Sequence, residues 1–173
     1  KTTLLISPDS IKNMVQFERN LDTNYMIDAI QLAQDKMLQP VIGTRLLESL
    51  QNKVESGEIY YEEYKEYKLL LDDYAAPVLI WGTLAETIYT TTYKIRNAGV
   101  TDIANEHTQT ATMKDADVIQ GQYHSNCQFY INRLTDYIRC NKDKYEELTT
   151  GCCCGCQGMT PKKILITNMY LGK

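Results

Sequence analysis

Residues 60–99, YYEEYKEYKLLLDDYAAPVLIWGTLAETIYTTTYKIRNAG, decide the fold. Tyr60, Tyr64, Tyr67, Leu71 and Tyr74 step by four, three, four and three, which places their side chains on one face of an α-helix. Glu62, Glu63, Lys65 and Glu66 fall on the wet side of that helix. Pro77 has no amide hydrogen and its ring crowds the preceding turn, so it is expected to break or kink the chain and begin a further helix. In that helix Val78, Trp81, Ala85, Ile88 and Thr92 form the inward stripe, widened by Leu84 and Ile95. Asn97-Ala98-Gly99 ends it with a residue suited to a left-handed cap. About 20 residues at 1.5 Å each make it roughly 30 Å long.

The same rhythm runs outward in both directions. Ser7 can cap a short helix that carries Pro8 at its first position and ends near Asn20. Asp22 and Thr23 open a better one, with Met26, Ile30, Ala33 and Met37 on one face and Pro40 as its end. Gly43-Thr44 restarts the chain, and Leu46, Leu47, Leu50 and Val54 mark a helix that stops at Gly57. Past an aperiodic, Thr- and Asn-rich loop at 100–112, Thr112 and Asp115 are spaced as a capping pair for a long helix. Tyr123, Cys127, Tyr130, Leu134 and Tyr137 form its stripe, widened by Ile131 and Ile138, and Lys142 to Leu148 add a turn or two. Helices are therefore expected near 24–38, 44–55, 61–75, 77–96 and 114–140. The expected fold is all-α, a helical bundle over 1–150 with extended arms at both ends. Residues 151–173 are a Cys/Gly hinge, GCCCGCQG, followed by a β-prone docking arm, KKILITNMYLGK.

Composition narrows the function. The 173 residues carry a net charge of −4, which argues against broad nucleic-acid binding, since that needs a clustered cationic surface. No apolar run approaches the roughly 18 residues of a membrane span. The opening stretch is too short for a signal-peptide core, so a cytoplasmic protein is expected. Tyr dominates the aromatics, 13 against one Trp and two Phe. Its apolar face and polar tip suit surfaces buried only on assembly, or else a thin core.

Catalytic patterns are not evident. His107 and His124 have no Asp, Glu or Cys at a metal-ligand or triad-like spacing, and read as exposed or hydrogen-bonding side chains. Asp72-Asp73 and Glu146-Glu147 are adjacent on helices and point apart. Cys127 reads as a small core hydrophobe, and Cys140 ends the same helix. Cys152, Cys153, Cys154 and Cys156 lie too close together to aim four sulfurs at one tetrahedral zinc with ease, so a bendable hinge, a metal site and disulfide chemistry all stay open.

With the helices placed, three landmarks stand in order: NYMIDAIQLAQDKMLQPVIGTRLLESLQ at 24–51, YAAPVLIWGTLAETIYTTTYKIRNAGV at 74–100, and YHSNCQFYINRLTDYIRCNKDKYEEL at 123–148. Their order resembles the head–tail connector (adaptor) proteins of tailed bacteriophages, particularly those of crAss-like and related phages of gut Bacteroidales. The resemblance implies a virion structural protein, assembled in the host cytoplasm, with no enzymatic activity and no cofactor. It implies a ring of copies of the chain, commonly dodecameric, that meets the portal protein and the next tail component. Double-stranded DNA would cross the channel without sequence-specific binding, and an acidic wall should not grip phosphate. The Cys-rich loop departs from the family pattern and receives no role from it.

In this reading the C-terminal arm docks on a partner. Ile164, Leu165, Ile166, Met169 and Tyr170 would add a strand to the partner's sheet edge, with Lys162 and Lys163 meeting acidic groups. The competing possibility is a strand packed on its own domain. Readings from other classes are a helical regulatory module with a Cys-cluster metal site, and an enzyme built from converging carboxylates.

Overall fold

The structure, a computed structural model, describes residues 3–14, 23–96, 99–102 and 113–149. Over these the fold is an all-α helical bundle with one small β-hairpin. In chain order it comprises α1 (Pro8–Met14), α2 (Thr23–Ala33), α3 (Gln39–Ile42), α4 (Thr44–Ser56), α5 (Lys65–Leu69), α6 (Ala76–Thr92), strands β1 (Tyr93–Arg96) and β2 (Gly99–Asp102), α7 (Met113–Cys140) and α8 (Glu146–Thr149). Helix α6 packs against both α2 and α7. Its Val78, Leu79, Ile80, Leu84 and Ala85 are all buried, as expected of a helix apolar on every side. One contiguous core joins Val78, Leu79, Ile80 and Leu84 to Met26, Ile30, Leu46, Leu50, Ile131 and Leu134.

Ser7 caps α1 as anticipated: its hydroxyl accepts the Ser10 amide at 3.2 Å, with Pro8 at the first helical position. Gly43 and Gly57 bracket α4 with positive φ, and the Gly57 amide returns to the Val54 carbonyl.

The prolines behave otherwise than expected. The helix does not stop before Pro40, and Pro77 does not break it. Each proline follows a wide π-helical turn, Gln34–Leu38 before Gln39-Pro40 and Leu70–Ala75 before Ala76-Pro77, and the chain stays helical beyond it. The amides of Gln39 and Ala76 reach back five residues, to the carbonyls of Gln34 and Leu71. A helical proline cannot donate to the carbonyl four residues back, and its ring collides with it. Shifting the bonding by one residue moves that carbonyl aside, so the turn absorbs the proline.

Two further expectations are corrected. Helix α6 ends at Thr92 rather than near residue 96, and Tyr93–Arg96 pairs antiparallel with Gly99–Asp102, Arg96 opposite Gly99. The change falls at Tyr93, where an aromatic residue and then β-branched Ile95 suit a strand better than a helix. Tyr60 does not face inward, because 3₁₀ turns at Glu58–Tyr60 and Glu62–Tyr64 precede α5 and shift the phase. Ile59 is buried in its place.

The N-terminal arm lies against the body. Leu5 and Ile6 are buried, and the Leu5 amide donates to Oε1 of fully buried Gln34 at 2.8 Å. Nε2 of both Gln34 and Gln51 donates to the Thr3 carbonyl.

Candidate interaction surface

The residues proposed for partner docking, Lys162, Lys163, Ile164, Leu165, Ile166, Met169 and Tyr170, lie outside the described residues, as do Cys152, Cys153, Cys154, Cys156 and His107. What the body offers a partner is read from its own surface. Among the described residues no helix is long and apolar enough to cross a membrane, and no three His, Cys, Asp or Glu are grouped to hold a metal ion.

The tyrosines divide into two sets. One set consolidates the end of the bundle where α5 and α6 meet α7 and α8. Tyr145 is fully buried, and its hydroxyl donates to the Glu66 carbonyl at 3.2 Å and accepts from the Tyr137 hydroxyl at 3.1 Å. Its ring meets Tyr67 edge-on, and Tyr137 stacks on Tyr74 at 3.9 Å. The Tyr67 hydroxyl donates to Glu147 at 2.9 Å, Lys53 sits over the Tyr64 and Tyr67 rings, and Arg133 over Tyr74. Burial, and then the Glu147 hydrogen bond, push the Tyr67 phenol well above its ordinary range, and burial raises Tyr145 likewise. The other set is open to solvent: Tyr60 is 76% exposed and Tyr61 63%.

Exposed apolar side chains also stand on two separate helices. Val118 and Phe129 on α7 are 62% and 64% exposed, 11 residues or roughly 17 Å apart along one face, with Ile119 beside them. Ile27 and Leu32 stand out from α2. Exposed Gln122, Ser125 and Asn126 lie between Val118 and Phe129 on α7, so these hydrophobes stand singly rather than as one continuous patch.

A third feature is a groove of about 750 Å³ of mixed character between the N-terminal segment and the α4–α6 side of the bundle, where Leu4 and Val54 stand with Ser7, Ser10, Lys68 and Asp72. A shallower polar cleft of about 470 Å³ runs beside α4, where Arg45 and Lys53 face Glu58, Glu146 and Glu147.

At the centre, Cys127 is fully buried as its place on the stripe implied. Its thiol points at the Met37 sulfur, 3.4 Å away, and burial pushes it up to about 12. Trp81 is half-buried rather than central. It packs on Tyr123 at 5.6 Å, and its indole N–H is buried with no hydrogen-bond partner among the described residues. His124 is also half-buried, near the Lys36–Glu86 ion pair, and burial lowers its pKa.

Residues 38–158 match the profile of a protein family. The chain belongs to DUF6712, a family of unknown function. The DUF6712 match opens at the end of the first π-turn and takes in α3 to α8, the tyrosine cluster and the Cys-rich stretch. It leaves out the N-terminal segment, α1 and α2. No curated protein and no solved structure matches the chain.

Proposed function

We propose that this chain is a structural virion protein, a subunit of the ring that joins the portal to the tail of a tailed phage around the DNA channel. The observation that supports the reading is the set of exposed apolar side chains on two separate helices, Val118, Ile119 and Phe129 on α7 and Ile27 and Leu32 on α2. A closed ring is built head to tail, so each subunit needs two different patches, one for each neighbour. Exposed apolar side chains on two separate helices fit that requirement, and the ordered landmarks described above suggest the ring's place in a virion. The C-terminal arm, Lys162 to Tyr170, then serves as the anchor on the portal. In this role the subunit catalyses nothing. Its binding energy goes into docking, and its acidic chain lets DNA pass.

The test is to mix the purified chain with the portal protein of a crAss-like phage and image the product by electron microscopy. The reading predicts rings of this chain seated coaxially on portal rings. Portal rings that stay bare at micromolar concentrations of the chain would overturn it.

A further inference from the structure

We infer that the N-terminal segment Thr3–Ile6 is a latch on the first π-helical turn. Docked, it holds Gln34–Leu38 closed; released, it lets that turn open and loosens α2 from α6 and α7. The device belongs to the single chain and does not depend on ring formation.

The latch is made at Gln34. This side chain is fully buried, and both ends of its amide are spent on the segment. Its Oε1 accepts the Leu5 amide at 2.8 Å and its Nε2 donates to the Thr3 carbonyl at 3.4 Å, an acceptor and a donor such as a neighbouring strand would supply. From α4, Gln51 Nε2 donates to the same carbonyl at 3.2 Å, and the Thr3 hydroxyl donates to Glu55 at 3.0 Å. Leu5 and Ile6 are buried beside these contacts. Among the described residues, every hydrogen bond between Thr3–Ile6 and the body ends on a side chain of the body. The segment can therefore leave without breaking a helix or a sheet ladder.

Gln34 is also the first residue of the turn, and its carbonyl accepts the Gln39 amide just ahead of Pro40. With the segment gone, the buried amide loses two partners, and a buried polar group left unpaired is costly. Its side chain then has to swing out to water. The turn cannot follow by tightening into ordinary α-helix, because the Pro40 ring would collide with the carbonyl four residues back. It opens instead. What it holds lies at the centre of the bundle. Lys36 pairs with Glu86 of α6 at 3.0 Å, and the Met37 sulfur lies 3.4 Å from the Cys127 sulfur of α7 and against Gly82 of α6. A partner that draws the segment away, or a protease that removes it, would thus be felt at both helices.

The experiment is amide exchange read by mass on the full chain and on a chain lacking Lys1–Ile6. Two stretches are compared: residues 39–43, whose Gln39 and Gly43 amides report the turn, and residues 131–138 in the middle of α7. The deletion should speed exchange at 39–43 at least tenfold and leave 131–138 within twofold. No change at 39–43, or equal acceleration in both stretches, overturns the inference. Gln34→Met, which needs no hydrogen-bond partner, supplies the second arm. In that background the deletion should speed exchange at 39–43 less than threefold. Acceleration as large as with Gln34 in place would mean that the segment merely covers the core, and overturns it too.

Discussion

Tyr145 shows how much a single side chain does in this molecule. Its ring fills the junction of α5, α7 and α8, and its hydroxyl ties the Glu66 carbonyl to the Tyr137 hydroxyl. Tyr145→Phe removes two neutral hydrogen bonds but leaves the Glu66 carbonyl its Leu70 amide, so a loss of about 1–2 kcal/mol is expected in urea unfolding. Tyr145→Ala also empties the site and should cost about 3–5 kcal/mol. If both variants unfold with the wild type, the cluster is not part of the core. His124 sets a pH dependence. Burial, opposed by Glu86 and reinforced by Lys36, holds its folded pKa below the unfolded value of about 6.5. On acidification the unfolded chain therefore takes up the proton first, and stability falls as pH drops below about 6.5 until the folded pKa is passed. The thermal midpoint should decline over that window and decline less in His124→Phe; identical profiles would contradict the assignment. Trp81 belongs on this scale too. Placed at the edge of the core with an N–H that has no partner among the described residues, it should tolerate Trp81→Phe within about 1 kcal/mol, whereas fully buried Leu84→Ala should lose about 2–5 kcal/mol.

Helix α6 packs so closely on α2 that Gly82 leaves no room for a methyl group: a Cβ there would collide with the Met37 sulfur and lie 3.3 Å from the Ala33 Cβ. Alanine gains up to about 1 kcal/mol of helix propensity over glycine, while overpacking costs about 1–3 kcal/mol. Gly82→Ala should therefore destabilise by about 1 kcal/mol, and the cost should shrink towards zero in a Met37→Ala background, as a double-mutant cycle would show. The apolar stripes of α2, α4, α6 and α7 were legible in the sequence because three-four spacing is a local signal, and Met26, Ile30, Ala33, Leu50, Leu134 and Ile138 are buried where it placed them. What was not legible depends on partners distant in the chain. Gln34 reads as a polar surface residue until the Leu5 amide, 29 positions away, is set against it. Tyr145 falls outside every stripe and is buried by Tyr67, Tyr137 and the Glu66 carbonyl. The π-turns carry no periodic mark, so proline read as a stop, and Ile95 fits a helical stripe as well as a strand until β2 pairs with β1. Of the proposed contact residues, the sequence offered the C-terminal arm, which lies outside the described residues, and the excess of Tyr; exposure at Phe129 and Val118 depends on which face α6 covers.

At the scale of the whole molecule, the proposed function divides a self-sufficient helical body from the arm that attaches it. Deleting Lys162–Lys173 should leave the helical circular-dichroism signal in place and abolish binding to the portal protein. A truncated chain that still binds would remove the arm as the anchor. In the proposed ring the body itself carries the subunit contacts, which places the central claim on α7. The most direct test is the native mass of the full chain and of the Val118→Asp/Phe129→Asp double variant, whose positions are exposed and so should not disturb folding. The expected result is a closed oligomer many times the 19.9 kDa subunit for the natural chain, and a folded 19.9 kDa monomer for the variant. A natural chain that stays at 19.9 kDa up to high micromolar concentration, or a variant that assembles as the natural chain does, would contradict it.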